Sequence, residues 1–141
     1  MRTKLLMLFI CIAVLLGCKK EPNAQELLTG TWIKTKEESK TNNSDWQATN
    51  EACDLDDTEE FSADGKWALY LGNQLCSGQS GTVVRGNYLL AAGDTKIIFT
   101  YTGISGEYES SIESISSNQL VLSFATGLSN GTVVRTTYSK R

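Results

Sequence analysis

The chain has 141 residues, with 13 Lys and Arg against 16 Asp and Glu, a net charge of −3 and no histidine. Without imidazole there can be no histidine-based serine or cysteine hydrolase, no histidine-ligated zinc and no imidazole pH switch. The acidic balance argues against nucleic acid as a partner, and the length suits one domain with its own core.

Arg2 and Lys4 open the chain. The apolar run from Leu5 to Leu16 after them is too short to cross the roughly 30 Å bilayer core as a helix. It ends in Leu15, Leu16, Gly17, Cys18, the pattern of a bacterial lipoprotein signal. The small residue before the cysteine lets a processing peptidase cut there, so residues 1–17 are expected to be removed. Cys18 is then expected to carry a thioether-linked diacylglycerol and an acylated amine. At about 0.8 kcal/mol for each buried methylene, several acyl chains make a lasting anchor. The expected location is the cell envelope, anchored to the outer membrane on a face the sequence leaves open. Losing Arg2 and Lys4 takes the net charge from −3 to −5.

Residues 18–29 read as a tether. Lys19, Lys20, Glu21, Pro22 and Asn23 are polar and include the one proline. Ala24 to Leu28 allows one helical turn that would plug or cap one end of the domain beyond it.

From Gly30 to Arg141 the texture changes to short β-prone runs separated by Gly, Asn and Asp. Strands are predicted near 30–37, 55–63, 66–72, 81–90, 95–102, 106–115, 118–126 and 131–139. Asp64 with Gly65, Gly93 with Asp94, Gly103 to Gly106, Ser117 with Asn118, and Asn130 with Gly131 supply hairpin links. Ile97, Phe99 and Tyr101 alternate with Lys96, Ile98 and Thr100, and Leu120, Leu122 and Phe124 with Val121 and Ser123. An eight-stranded antiparallel meander with one apolar face can close into a small up-and-down barrel, which removes its edges; a two-sheet sandwich is the competing solution. The stretch 36–51 reads as a long loop, with Trp46 either packed under its own loop or folded over a barrel mouth. Gly81 to Arg85 recurs as Gly131 to Arg135. The echo places Val84, Tyr88, Val134 and Tyr138 on the same kind of face.

Of the four cysteines, Cys11 leaves with the signal and Cys18 takes the lipid. Cys53 and Cys76 remain, and an even pair in an exported protein reads as a disulfide worth roughly 3 kcal/mol by chain entropy. The alternative, a thiolate metal site, lacks further soft ligands. Asp54, Asp56, Asp57, Glu59 and Glu60 read as a solvated acidic strand edge, against a calcium site that would lack the EF-hand glycine and terminal glutamate. Nothing places Asp57 or Glu59 opposite a second carboxylate for glycoside hydrolysis. No catalytic set, metal or cofactor is expected.

The Gly-x-Trp of Gly30 and Trp32 resembles the opening motif of lipocalins. Cys53, Asp56, Asp57, Phe61, Asp64, Gly65 and Cys76 extend the likeness, with Gly86, Asn87 and Tyr88, the run from Ile112 to Leu122, and Thr137 with Tyr138. Together they resemble the lipocalin-like domain of many lipoproteins of Gram-negative bacteria. The resemblance implies a barrel closed by Trp32, with an arginine of the last strand packed across the indole. Arg135 is the candidate, although Lys140 and Arg141 also lie near the end of that strand. It further implies a small, mostly apolar ligand, for which Trp67, Phe99, Tyr101, Tyr108 and Phe124 are the candidate inner-face contacts. The bland alternative is that these aromatics only fill a small core. A second function class is a non-enzymatic accessory protein that binds an envelope protein or glycan through its loops. An enzyme ranks third.

Overall fold

The computed structural model describes residues 21–49, 51–79, 81, 83–127 and 131–141. The signal segment, Cys18, Lys19, Lys20, Thr82 and Asn130 fall outside the described residues.

Asn23 starts the first element. Its Oδ1 accepts from the Glu26 N–H at 2.8 Å while the Glu26 carboxylate accepts from the Asn23 N–H at 3.2 Å. This reciprocal cap satisfies two backbone donors and launches helix α1 (Ala24–Leu28) inside the stretch read as tether. Gly30 then turns the chain at φ +133°, a region that side-chained residues rarely enter, and begins the first strand.

The strands are β1 (Gly30–Thr41), β2 (Gln47–Ala48), β3 (Thr58–Phe61), β4 (Lys66–Tyr70), β5 (Val83–Ala91), β6 (Lys96–Tyr101), β7 (Glu107–Ile115), β8 (Gln119–Ala125) and β9 (Thr132–Lys140). Apart from β2, they are the eight predicted strands, each pairing antiparallel with the next. β9 returns to β1 over the register Trp32↔Lys140 to Thr41↔Thr132, which closes the barrel. The sandwich alternative is excluded by that closure. β1 runs past the predicted end at residue 37, because β9 supplies partners as far as Thr41. The short β2 lies against Glu38 and Ser39 of β1, above the point where β3 leaves it.

The two barrel ends differ. At the closed end Leu28, Trp32, Phe61, Ile97 and Leu120 are the largest fully buried side chains; each such burial contributes roughly 1.5–3 kcal/mol. The helix is fastened there by its own last carbonyls. Trp32 Nε1–H donates to the Leu28 carbonyl at 2.7 Å, and Lys140 Nζ donates to the Leu27 carbonyl at 2.7 Å. The Tyr88 hydroxyl, which accepts from the Gln25 amide, donates to the Ser62 carbonyl at 2.8 Å and ties the β3–β4 turn to the helix.

Two expectations are corrected by the register. The cation over the Trp32 ring is Lys140, at 4.9 Å from its centroid, and not Arg135. Strand parity decides this: Lys140 pairs directly with Trp32 and shares its inward face, whereas Arg135 is five residues away and points outward. Arg135 instead lies 4.0 Å over Trp46 and binds Glu38 Oε2 through Nη2 at 2.8 Å and Nε at 3.2 Å. Lys40 approaches the same indole at 4.7 Å. Trp46 is therefore clamped on the outer wall of β1 and β9, and does not cover the mouth.

At the open end Cys53 and Cys76 form a disulfide with Cα atoms 5.4 Å apart. Their sulfurs are spent in that bond, which overturns the thiolate alternative. The Asp56 carboxylate accepts from Asn73 N–H at 2.7 Å and Asp57 from Gly72 N–H at 2.9 Å. The aspartates thus hold the loop after β4; Asp57 is buried there, whereas Asp56 lies on a solvated edge as expected. Burial pushes the Asp57 carboxyl up, and the Gly72 N–H pulls it back.

Candidate functional site

Above the closed end the inner faces of β3, β4 and β6 to β9 draw apart around a cavity of about 510 Å³. Its size is within the range of small-molecule sites, roughly 300–1,000 Å³. The five aromatics singled out from the sequence all line it: Trp67, Phe99, Tyr101, Tyr108 and Phe124. Trp67 and Phe99 also belong to the buried core, whereas Tyr108 is 50% and Phe124 41% exposed at the mouth. The aromatics therefore do both jobs: the lower rings fill and the upper ones line.

The rings make a continuous column up one side of the barrel. Phe61 meets Tyr88 at 5.1 Å between centroids and Phe99 at 6.1 Å; Trp67 meets Phe99 at 5.2 Å and Tyr101 at 5.3 Å; Tyr101 meets Tyr108 at 4.7 Å. Most are edge-to-face, the arrangement that ring quadrupoles favour. Gly86 makes the middle step possible. It stands between Trp67 on β4 and Tyr101 on β6, so the two rings touch across a position with no side chain. A Cβ on Gly86 would lie 2.0 Å from the Thr100 carbonyl oxygen.

The floor is a carboxyl group that its acidic neighbours in sequence would place on a solvated edge. Glu59 sits two residues before Phe61 and shares its inward face. Its Oε1 accepts from the Tyr138 hydroxyl at 2.6 Å and its Oε2 from Trp67 Nε1–H at 2.8 Å. The cavity reaches the group, so its enclosure by the barrel wall is incomplete. Burial pushes the Glu59 carboxyl up, against the two hydrogen bonds that pull it down. Burial, and then the Glu59 charge, pushes the Tyr138 hydroxyl well above its ordinary range. Alternation counted back from Phe61 is the signal in the sequence that finds Glu59. The Gly81 and Gly131 echo puts Tyr138 on the right face, but does not assign it to the cavity.

Opposite the rings the lining is small and polar, with Ser110 and Thr136 beside Leu122; Glu107 and Glu109 border the mouth on β7 but alternate with Tyr108, so their side chains face outward. Among the described residues the only converging set of potential metal ligands is Glu51, Cys53 and Cys76, and its sulfurs are bonded to each other. What this arrangement offers chemically is an apolar slot with aromatic walls, a few hydroxyls and one deep acid.

The sequence profile of the family described as the lipocalin-like domain matches residues 28–122. Among solved structures, a lipocalin-like protein from Bacteroides uniformis superposes with a TM-score of 0.50 at 16% identity, covering 81% of this chain and 98% of that one. A likeness at that identity speaks to the fold. No curated protein matches the chain.

Proposed function

The chain belongs to the lipocalin-like domain family, a barrel fold of the small-ligand-binding type, and from that premise we propose that it is a lipid-anchored, non-enzymatic envelope protein that holds a small, mostly apolar ligand. The observation that carries the reading is the cavity of about 510 Å³ with all five candidate aromatics in its lining. A barrel filled by its own side chains would have left no such volume.

Helix α1 and the closed barrel are wholly contained in residues 23–141, so a chain starting at residue 19 serves for binding work. Native mass spectrometry of that chain, purified without detergent, is expected to show one apolar small molecule retained per barrel or taken up from a mixture. Replacing Phe124 and Tyr108 with serine should weaken retention without unfolding the barrel, since both are half exposed. Retention unaffected by these changes would count against the cavity as the site.

Anchoring rests on Cys18 and the signal before it. Cys18→Ala removes the thiol that takes the diacylglycerol, so labelled fatty acid should no longer enter the protein in bacterial cells. Labelling at the wild-type level would overturn the anchor.

A further inference from the structure

We propose that the cavity selects an amphipathic organic cation, an aromatic or apolar body carrying one ammonium-type head that sits on Glu59. This rests on the reading that the cavity takes a small ligand, and names the class. Among the described lining residues Glu59 is the one charged side chain turned inward; Glu107 and Glu109 alternate with Tyr108 on β7 and face outward. Glu109 has an outward partner in Lys96 at 2.6 Å. Glu59 has no such partner, and no cation lies within ion-pair distance of it among the described residues. Lys34 on β1, the basic group whose charge Glu59 feels, gives its ammonium to Glu37 at 3.2 Å and to Asp54 at 4.0 Å.

A carboxylate offers about four lone-pair sites. Tyr138 and Trp67 occupy two, leaving acceptor capacity toward the cavity. A partly enclosed acid with neutral donors alone is poorly compensated, and a cationic ligand supplies the missing charge. The walls favour the same class, because ring faces attract cations, Trp most strongly. A ligand carboxylate would instead meet Glu59 with no base beside it, so fatty-acid-like anions are rejected. The net charge, −5 without Arg2 and Lys4, adds a weak pull on cations approaching from solvent.

Three probes with one body separate the possibilities: 4-phenylbutylamine, 4-phenylbutanol and 4-phenylbutyrate, titrated by calorimetry into the chain from residue 19. The amine is expected to bind at least about tenfold tighter than the alcohol, and the acid weakest. Glu59→Gln, which keeps an acceptor for Tyr138 and Trp67, should bring amine and alcohol to within about threefold of each other. The groups facing Glu59 are Tyr138 on β9, Trp67 on β4, Lys34 on β1, Tyr101 on β6 and Asp57 ahead of β3. As pH falls and Glu59 takes a proton, wild-type affinity for the amine should drop while that for the alcohol holds. That comparison decides the matter even if the Gln variant fails to fold. Equal binding of alcohol and amine, or tighter binding of the acid, overturns the cation proposal and leaves the cavity reading standing. An amine preference unchanged in Glu59→Gln overturns the role of Glu59. No binding of any probe overturns the cavity reading, and this proposal with it.

Discussion

Lys140 lies 4.9 Å from the centre of the Trp32 ring, and its ammonium donates to the Leu27 carbonyl at 2.7 Å. One side chain from the end of the last strand thus holds both the indole that seals the barrel and the helix that rests on it. Burial holds the ammonium below the ordinary lysine value. Lys140→Met keeps the apolar stem and removes the charge, so it should cost about 1–3 kcal/mol from the lost ring contact and the orphaned carbonyl. Urea midpoints at unchanged slope measure this, and a midpoint equal to wild type refutes it.

Trp32 and Trp46 are predicted to differ sharply. Trp32 is fully buried, with its N–H bonded to Leu28, and alanine there should leave a cavity and cost about 3–5 kcal/mol. Trp46 packs on an outer wall against Lys40 and Arg135, so its replacement should cost about 1 kcal/mol. Denaturant midpoints of the two variants, disulfide intact, give the comparison; equal losses would make the outer clamp part of the core.

The Cys53–Cys76 bond staples the turn Ala52–Asp54 to the loop after β4. Replacing both cysteines with serine should lower stability by roughly 3 kcal/mol through a less restricted unfolded chain. The aspartate contacts to Gly72 and Asn73 remain, so the loop should keep its place. Mass spectrometry of the unreduced protein should show a mass two hydrogens below the dithiol.

Glu59 sets a pH dependence of known sign. Its carboxyl titrates above the ordinary 4.5 in the fold because burial penalises the charge. From about that value upward the folded state holds a proton that the unfolded chain has released, so this group's contribution makes stability fall as pH climbs through the window. Asp57 acts in the same direction. Glu59→Gln should therefore flatten part of the fall, read as midpoints at a series of pH values. Identical slopes in the two proteins would mean that Glu59 is not shielded from water.

The barrel is legible in the sequence because its inner face is written in alternation: Ile97, Phe99 and Tyr101, or Leu120 and Leu122, need only a period of two. The disulfide is legible from elimination among four cysteines. Glu59 is not, since an acid inside an acidic run looks solvated until Phe61 fixes the parity. Arg135 misleads for a related reason. Choosing between it and Lys140 needs the register of β9 on β1, and the shift between Lys34 and Lys36 makes that register invisible to a count along the chain. The place of Trp46 depends on a two-residue strand, β2, too short to leave a pattern.

The three tryptophans occupy three unlike surroundings: Trp32 in the sealed base, Trp67 in the cavity wall with its N–H on Glu59, and Trp46 between two cations outside. Indole emission shifts with local polarity and is quenched by neighbouring groups, so each is an optical reporter of its own region. A variant keeping only Trp67 would register the arrival of a guest, with Tyr101, 5.3 Å away, feeding it excitation energy. One keeping only Trp32 would stay silent until the base gave way. Filling the cup and losing its floor can thus be timed separately in the same molecule.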